Sequence, residues 1–249
     1  MPKGSIVKLQ FAGCGDAFGS GGRFNTCLHV EEGSRTFLID CGASSLVALK
    51  KAGIDRGAID AVLLTHFHAD HFGGIPFLIL DQQLNVKRNR PLLVVGPPGL
   101  RDRFASAMAV AFPGERTLPF ELELREVRMG EAQCILGMDV TPVHVKHDDR
   151  AGPCLAYRIE TGGKTLCYSG DTEWTDALIE AARAADLFVC ECYMYETLRK
   201  SHMTLSLLRQ HLPAIGAKRV ILTHLSEEML ARLADVEFEC AVDGLVVEF

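Results

Sequence analysis

The chain has 249 residues, of which 48% are hydrophobic and 23% charged, with a formal net charge of −6. That length and apolar content can bury a core without disulfides, and the charged fraction is that of a globular protein and not of a disordered one. The acidic balance argues against a protein that grips long nucleic acid along a basic face, and no apolar run reaches the length of a membrane span.

In chain order, strand-like runs come first, over residues 6–11, 26–30 and 35–40, with Gly33-Ser34 as the turn between the second and third. Leu46, Val47 and Leu49 give residues 45–52 helical spacing, which Gly53 closes. Residues 61–65 form a short apolar strand that runs straight into His66-Phe67-His68-Ala69-Asp70-His71, and Gly73-Gly74 opens a helical stretch to residue 84. A strand over 91–95, a helix over 100–112, an alternating strand over 120–127 and two strands between 133 and 145 follow. Thr161-Gly162-Gly163-Lys164 is a hairpin turn between strands 155–160 and 165–169. Residues 176–185 read as a helix, 187–193 as a strand, 205–212 as a helix and 219–223 as a strand. Ser226 caps a last helix with Glu227 and Glu228 at its positive end, and 245–249 finishes as a strand. The first half is expected to be mainly antiparallel strands with helices between them, and the second half to repeat that mixture. This predicts two sheets face to face with helices outside, in one domain over residues 1–249.

The chemistry concentrates in His66, His68, Asp70 and His71. Ligands at the end of a buried strand sit on a rigid base, and the loop beyond can curl around an ion. His66 and His68 share a side in extended backbone, whereas Asp70 and His71 both point inward only in a turn or at a helix start. Three imidazoles and a carboxylate within six residues suit zinc, manganese or iron. Clustered histidines without a shared ligand are uncommon. His147, Asp171 and His224 each stand where a predicted strand meets a loop, so more than one ion is expected. A carboxylate such as Asp171 can bridge two ions and leave room for a shared water whose pKa falls toward neutrality.

Phe37-Leu38-Ile39-Asp40-Cys41-Gly42, the HxHxDH cluster, His147, Ser169-Gly170-Asp171-Thr172 and Leu222-Thr223-His224 follow in an order that resembles the metallo-β-lactamase superfamily, from near residue 6 to the end. The resemblance implies an α/β (α+β) fold, the four-layer αββα sandwich. It implies two divalent metal ions, zinc foremost and manganese or iron as alternatives. His66, His68 and His147 would bind one, Asp70, His71 and His224 the other, with Asp171 bridging and Asp40 fixing the HxHxDH loop by hydrogen bonds. His144 competes with His147 within Pro142-Val143-His144-Val145-Lys146-His147, and the position at the strand's end favours His147. A homodimer is expected by analogy.

Residues 185–193 and Lys200-Ser201-His202-Met203-Thr204 resemble the ribonuclease Z and cyclic-phosphate phosphodiesterase branch, in which a His-x-Thr element lies between the bridging aspartate and the last histidine. The resemblance implies that His202, catalytic together with Asp70, binds phosphate or gives a proton to the leaving oxygen, an aid worth roughly 10²–10⁴-fold. The plain alternative for His202 is a helix-cap residue. Ribonuclease Z inserts a tRNA-clamping arm, in the bacterial form between the third metal histidine and the bridging aspartate. Here one short hairpin joins His147 to Asp171. The expected substrate is therefore a small phosphodiester, cyclic ones included, attacked in line by a metal-bridging hydroxide. The competing readings are an RNA 3′-end nuclease, a thioester or lactone hydrolase on the same metals, and a metal site without turnover.

Gly13-Cys14-Gly15-Asp16-Ala17-Phe18-Gly19 reads as a mobile loop near the site's mouth, with Arg23 and Asn25 within reach of substrate. Lys87, Arg88 and Arg90 read as a solvated basic turn, with substrate steering as the alternative. Cys190 and Cys192 alternate as core residues do, and His29 and His211 have no partner in sequence. Asp148 and Asp149 either support His147 or cap their own loop. Nine cysteines without a CxxC pair read as reduced thiols, and residues 6–11 are too short and alternating for a signal peptide, so the cytoplasm is expected.

Overall fold

The structure, a computed structural model, describes residues 6–114 and 116–249. Alternation sets the first sheet: in Val7–Gly13 (β1), Val7, Leu9 and Phe11 are fully buried while Lys8 and Gln10 face outward. β1 pairs antiparallel with Cys27–Glu32 (β2) and, at its other edge, with Val246–Glu248 at the end of the chain. β2 turns through Gly33, at φ 58, into antiparallel Arg35–Ile39 (β3).

From β3 onward the chain changes manner. Helix Ser45–Lys51 (α1) leads to Ala61–Leu63 (β4), helices Ala69–Phe72 (α2) and Ile75–Asp81 (α3) to Leu92–Gly96 (β5), and helix Leu100–Ala111 (α4) to Leu122–Glu126 (β6). The β3–β4, β4–β5 and β5–β6 ladders are all parallel. The expected mainly antiparallel first half is thus corrected to two antiparallel and three parallel ladders, with the antiparallel pairing of β1 to residues 246–248 added at the sheet's edge. The cause is physical. β4 and β5 are buried at every residue, as strands covered on both faces must be, and helical crossovers impose parallel pairing.

The second sheet repeats this order. Gln133–Ile135 (β7), Met138–Val145 (β8), Cys154–Thr161 (β9) and Lys164–Tyr168 (β10) are antiparallel. β10, Leu187–Glu191 (β11), Val220–Thr223 (β12) and Glu239–Cys240 (β13) are parallel. Helices Ala177–Ala182 (α5), Leu205–Ile215 (α6) and Glu227–Ala231 (α7) connect them, and Val246–Glu248 (β14) closes the edge of the first sheet. Side chains from both inner faces, among them Leu9, Phe37, Ile39, Tyr157, Tyr168 and Val189, form the central core. Separate apolar clusters hold helices to each outer face. This is the expected αββα arrangement. Because β10, β11 and β12 run the same way, their C-terminal ends open onto one edge of the sandwich, and Asp171, Glu191 and His224 meet there.

Several bounds move. The stretch expected as helix to residue 84 ends at Asp81 and continues as a π-turn over Gln82–Val86. The 187–193 strand stops at Glu191, and the two-residue β13 is an addition to the expected elements. Arg88 is no solvated or steering residue. It is 3% exposed and donates to the carbonyls of Gly57, Ile59, Arg90 and Pro91 and to Gln82 Oε1, while Arg90 pairs with Asp60. No helix among the described residues is long and apolar enough to cross a membrane.

Asp81 fastens this outer layer. Its buried carboxylate accepts from Arg56 Nε at 2.7 Å and Asn85 Nδ2 at 2.9 Å, with Lys50 Nζ at 3.4 Å. Burial opposes its ionisation, but these partners outweigh burial and hold the carboxyl below its usual value. A depressed folded value means stability that is complete above the unfolded pKa and lost as pH falls through the folded one. Asp81→Asn is expected to cost about 3 kcal/mol at neutral pH. In urea titrations repeated at decreasing pH, the gap between variant and wild type should close below about pH 4. A gap that stays constant with pH would assign the loss to packing.

Candidate metal centre

Asp40 follows β3 in left-handed backbone, φ 61, and has no solvent exposure. Its carboxylate accepts from the Thr65 N–H at 2.8 Å, from Thr65 Oγ1 at 2.8 Å and from His71 Nδ1 at 2.7 Å. It therefore holds both ends of the HxHxDH loop. His68 caps α2 in extended backbone, and Asp70 and His71 lie in the first turn of that helix, which lets two adjacent side chains point inward. Gly42 permits the close approach this needs, since a Cβ there would lie 2.1 Å from the Asp70 carbonyl oxygen.

The structure brings together all seven side chains expected as ligands. Two groups carry them, His66, His68 and His147 in one and Asp70, His71, Asp171 and His224 in the other; within each, one donor atom per residue lies within 4.8 Å of the others, and His202 meets the same limit with His147 and Asp171 and again with Glu191 and His224. His147 Nε2 is 3.0 Å from His68 Nδ1, and its Nδ1 donates to the Ser201 carbonyl at 2.6 Å. His144 is exposed on β8 and lies outside both groups. Asp148 caps its own turn by accepting from the Arg150 N–H, and its Oδ2 stands 3.6 Å from Nε2 of His68, so the histidine it neighbours is His68. Asp171 Oδ1 is 3.2 Å from His71 Nε2, and Asp171 Oδ2 is 3.3 Å from His224 Nε2.

His66 Nε2, His71 Nε2 and Asp171 Oδ1 are buried without a hydrogen-bond partner. Such orphans each cost about 1–3 kcal/mol, and these three converge on one space. A divalent cation in each group would satisfy them, so the donor set fits two ions of the zinc, manganese or iron type. Burial keeps His66 well below the ordinary imidazole value, in the neutral form a ligand needs. Burial also works against the charging of His71 and His224. The carboxylates outweigh it, led at both by Asp171, and raise His71 well above its usual value and His224 to about 9. Asp70 and Asp171 are correspondingly depressed despite burial, by His71 and His224.

His202 stands beside this set. Its ring lies 4.9 Å from that of His147 and 4.5 Å from that of Tyr193. It is not a helix cap, since Thr204 caps α6 by accepting from Leu207 N–H. Its Nδ1 meets Glu191 Oε1 and Oε2 at 3.1 and 3.2 Å, leaving Nε2 for the cavity. Glu191 is fully buried at the end of β11 and also accepts from the Thr172 N–H at 2.5 Å. Burial disfavours the imidazolium, but Glu191 raises the net pKa of His202 above its usual value. Sequence reasoning takes Glu191 for an ordinary strand residue and misses it. A signal is present all the same, because a lone glutamate inside an apolar strand is almost never buried without a partner.

His202 and Tyr193, with His68, Asp70, His147, Asp171 and His224, line a cavity of about 420 Å³ that Phe18 and Arg199 also border. The Gly13–Gly19 segment lies at its mouth and is tied down by Asp16, which accepts from the N–H groups of Phe18 and Ser20 and from Ser20 Oγ. Asn25 reaches the cavity, but its side-chain amide is engaged with Ser44 and with the Asp16 carbonyl, and Arg23 is not part of the lining. His211 stacks on Trp174 at 4.1 Å, and His29 is buried.

Comparison with known proteins agrees with this geometry. A ribonuclease Z of Agathobacter rectalis is 28% identical over 262 aligned positions, covering 84% of each chain. The metallo-β-lactamase fold protein YhfI from Bacillus subtilis superposes with a TM-score of 0.80 at 23% identity, over 98% of this chain and 100% of that one. The short form of human tRNase Z superposes with a TM-score of 0.77 at 24% identity, over 96% and 98%. These likenesses establish the metallo-β-lactamase fold and bear out the resemblance to the ribonuclease Z branch. The family model described as anti-Pycsar protein Apyc1 matches residues 7–240, nearly the whole length, and the chain belongs to that family.

Proposed function

We propose that this protein is a binuclear metal-dependent phosphodiesterase acting on a small phosphodiester, cyclic phosphodiesters included. The observation that carries it is the Glu191–His202 pair beside the metal set. A thiolate leaves without help, whereas an alkoxide needs a proton, so a built acid favours phosphodiesters over thioesters. His66, His68 and His147 would hold one ion and Asp70, His71 and His224 the other, with Asp171 between them. Zinc is the first choice, with manganese and iron suited to the same donors. When bound, such ions supply Lewis acidity toward phosphoryl oxygens and lower the pKa of a water. The chain's own residues do the rest. Asp40 and the Ser201 carbonyl fix the tautomers of His71 and His147, and Asp70 is oriented between His71 and His224. Glu191 holds His202 with its proton on Nε2, ready for the leaving oxygen. Nine unpaired thiols, seven of them buried, fit a cytoplasmic location.

The kinship to ribonuclease Z supports a second reading, cleavage at RNA 3′ ends. Two observations weigh against it. A tight Gly162-Gly163 hairpin joins β9 to β10 between His147 and Asp171. The 262 aligned positions also exceed the 249 residues of this chain, so the relative carries segments that this chain lacks.

Reconstituted protein is expected to hydrolyse bis-p-nitrophenyl phosphate and cyclic nucleoside monophosphates. His66→Ala should abolish both, and His202→Ala should lower kcat roughly 10²-fold on the cyclic substrate. Turnover of a thioester or of p-nitrophenyl acetate alone would defeat the reading, and efficient trimming of precursor tRNA would favour the second.

Removal of metal with a chelator is expected to abolish turnover and lower the melting temperature, and zinc should restore both. Zinc at 1,000 times its Kd adds about 4 kcal/mol of stability. An unchanged melting temperature on stripping would show that these donors hold no ion.

A further inference from the structure

We propose that Glu173 is a positioning residue that sets His147 and His202 together, acting through Ser201. This rests on the reading of His147 as a metal ligand and His202 as the acid. Ser201 has φ 74, a left-handed conformation that residues other than glycine seldom adopt and that needs support from its surroundings. Three hydrogen bonds hold it. Its N–H donates to Glu173 Oε1 at 2.8 Å, its hydroxyl donates to the His147 carbonyl at 2.9 Å, and its own carbonyl accepts from His147 Nδ1 at 2.6 Å.

The last bond fixes the His147 tautomer, so that the lone pair is on Nε2, facing His68 Nδ1. The residue after Ser201 is His202, so the backbone that orients the ligand also carries the acid. Glu173 has a fixed base of its own. Its N–H donates to the Lys146 carbonyl at 2.8 Å, and its Oε2 lies 3.1 Å from Lys146 Nζ. The preceding residue, Thr172, donates its N–H to Glu191, the partner of His202. The ring of bonds thus runs from the end of β8 through the Asp171 turn and Glu191 to His202 and back through Ser201. Without Glu173 the strained Ser201 relaxes, its carbonyl leaves Nδ1, and His202 shifts with it.

The test uses the full chain and two readouts, zinc affinity by competition with a chromophoric chelator and kcat on two phosphodiesters. Glu173→Ala should weaken zinc binding about 10-fold, in line with the loss of support for a metal-bound histidine. It should lower kcat about 10-fold on a cyclic nucleoside monophosphate, whose leaving group is an alkoxide, and less on bis-p-nitrophenyl phosphate, whose leaving group needs little acid. KM should change little. Glu173→Gln keeps the acceptor and should restore both readouts. Glu173→Asp keeps the charge but falls a methylene short of the Ser201 N–H, so it should reproduce the alanine loss even if alanine fails to fold. Zinc affinity and kcat unchanged in Glu173→Asp, or equal losses on both phosphodiesters with zinc affinity intact, would overturn the proposal. If wild-type protein turned over no phosphodiester, the proposed function would fall, while the zinc measurement would still decide the positioning of His147.

Discussion

A buried carboxylate with no access to water persists only if its oxygens are all used, and Asp40 meets that condition by joining two parts of the chain. Thr65, just before His66, and His71, at the other end of the cluster, both bond to it. The loop between them therefore has little freedom left. The same carboxylate makes Nδ1 of His71 the proton-bearing atom, which leaves Nε2 of that ring turned toward Asp70 and Asp171 in the site. The order of dependence runs outward from there. β3 places Asp40, Asp40 places the loop, the loop places four donors, and the ends of β8, β10 and β12 supply the other three.

Backbone strain follows the same map. Six non-glycine residues among those described have left-handed φ, and Asp40, Ser201 and His224 are three of them. Such conformations cost of order 1–3 kcal/mol each and survive where surrounding bonds over-determine them. His224 is held in this way by its N–H on the Cys14 carbonyl, which also accepts from Thr223 Oγ1. These three strained residues are thus ones whose side chain or carbonyl must support or face the site while the backbone leaves a strand end or a turn.

The parts legible in the sequence are those that depend on near neighbours. His66 to His71 announce themselves because ligand spacing is local, and the hairpin at Gly162-Gly163 and the cap at Ser226 because turn and cap chemistry is local too. The choice between His144 and His147 depends on which side of β8 faces the other sheet, a tertiary fact that brief alternation cannot supply. Glu191 is invisible as a functional residue because its partners, Thr172 and His202, are 19 and 11 residues away. The parallel ladders of the first sheet escape for a related reason: β4 has three residues, too few to show a pattern. The order of three antiparallel ladders and then three parallel ones, found in each sheet, depends on pairings far apart in the chain, such as β1 with β14.

The donor set by itself does not choose a reaction. Ions held by histidines and aspartates can activate a water against an ester, a thioester or a phosphodiester alike. Discrimination has to come from other groups that line the cavity, and His202, held by Glu191, is one of them. An exposed histidine would be mostly neutral at pH 7 and a poor donor. Burial alone would make it worse, by disfavouring the cation. Glu191 reverses the sign, because a carboxylate buried with the imidazole stabilises the protonated ring more than burial penalises it. That arrangement costs desolvation of a glutamate, offset by the Thr172 N–H and by His202 itself. An imidazole kept protonated in this way suits a site that must protonate a departing alkoxide, and that is the physical ground for the proposed reading.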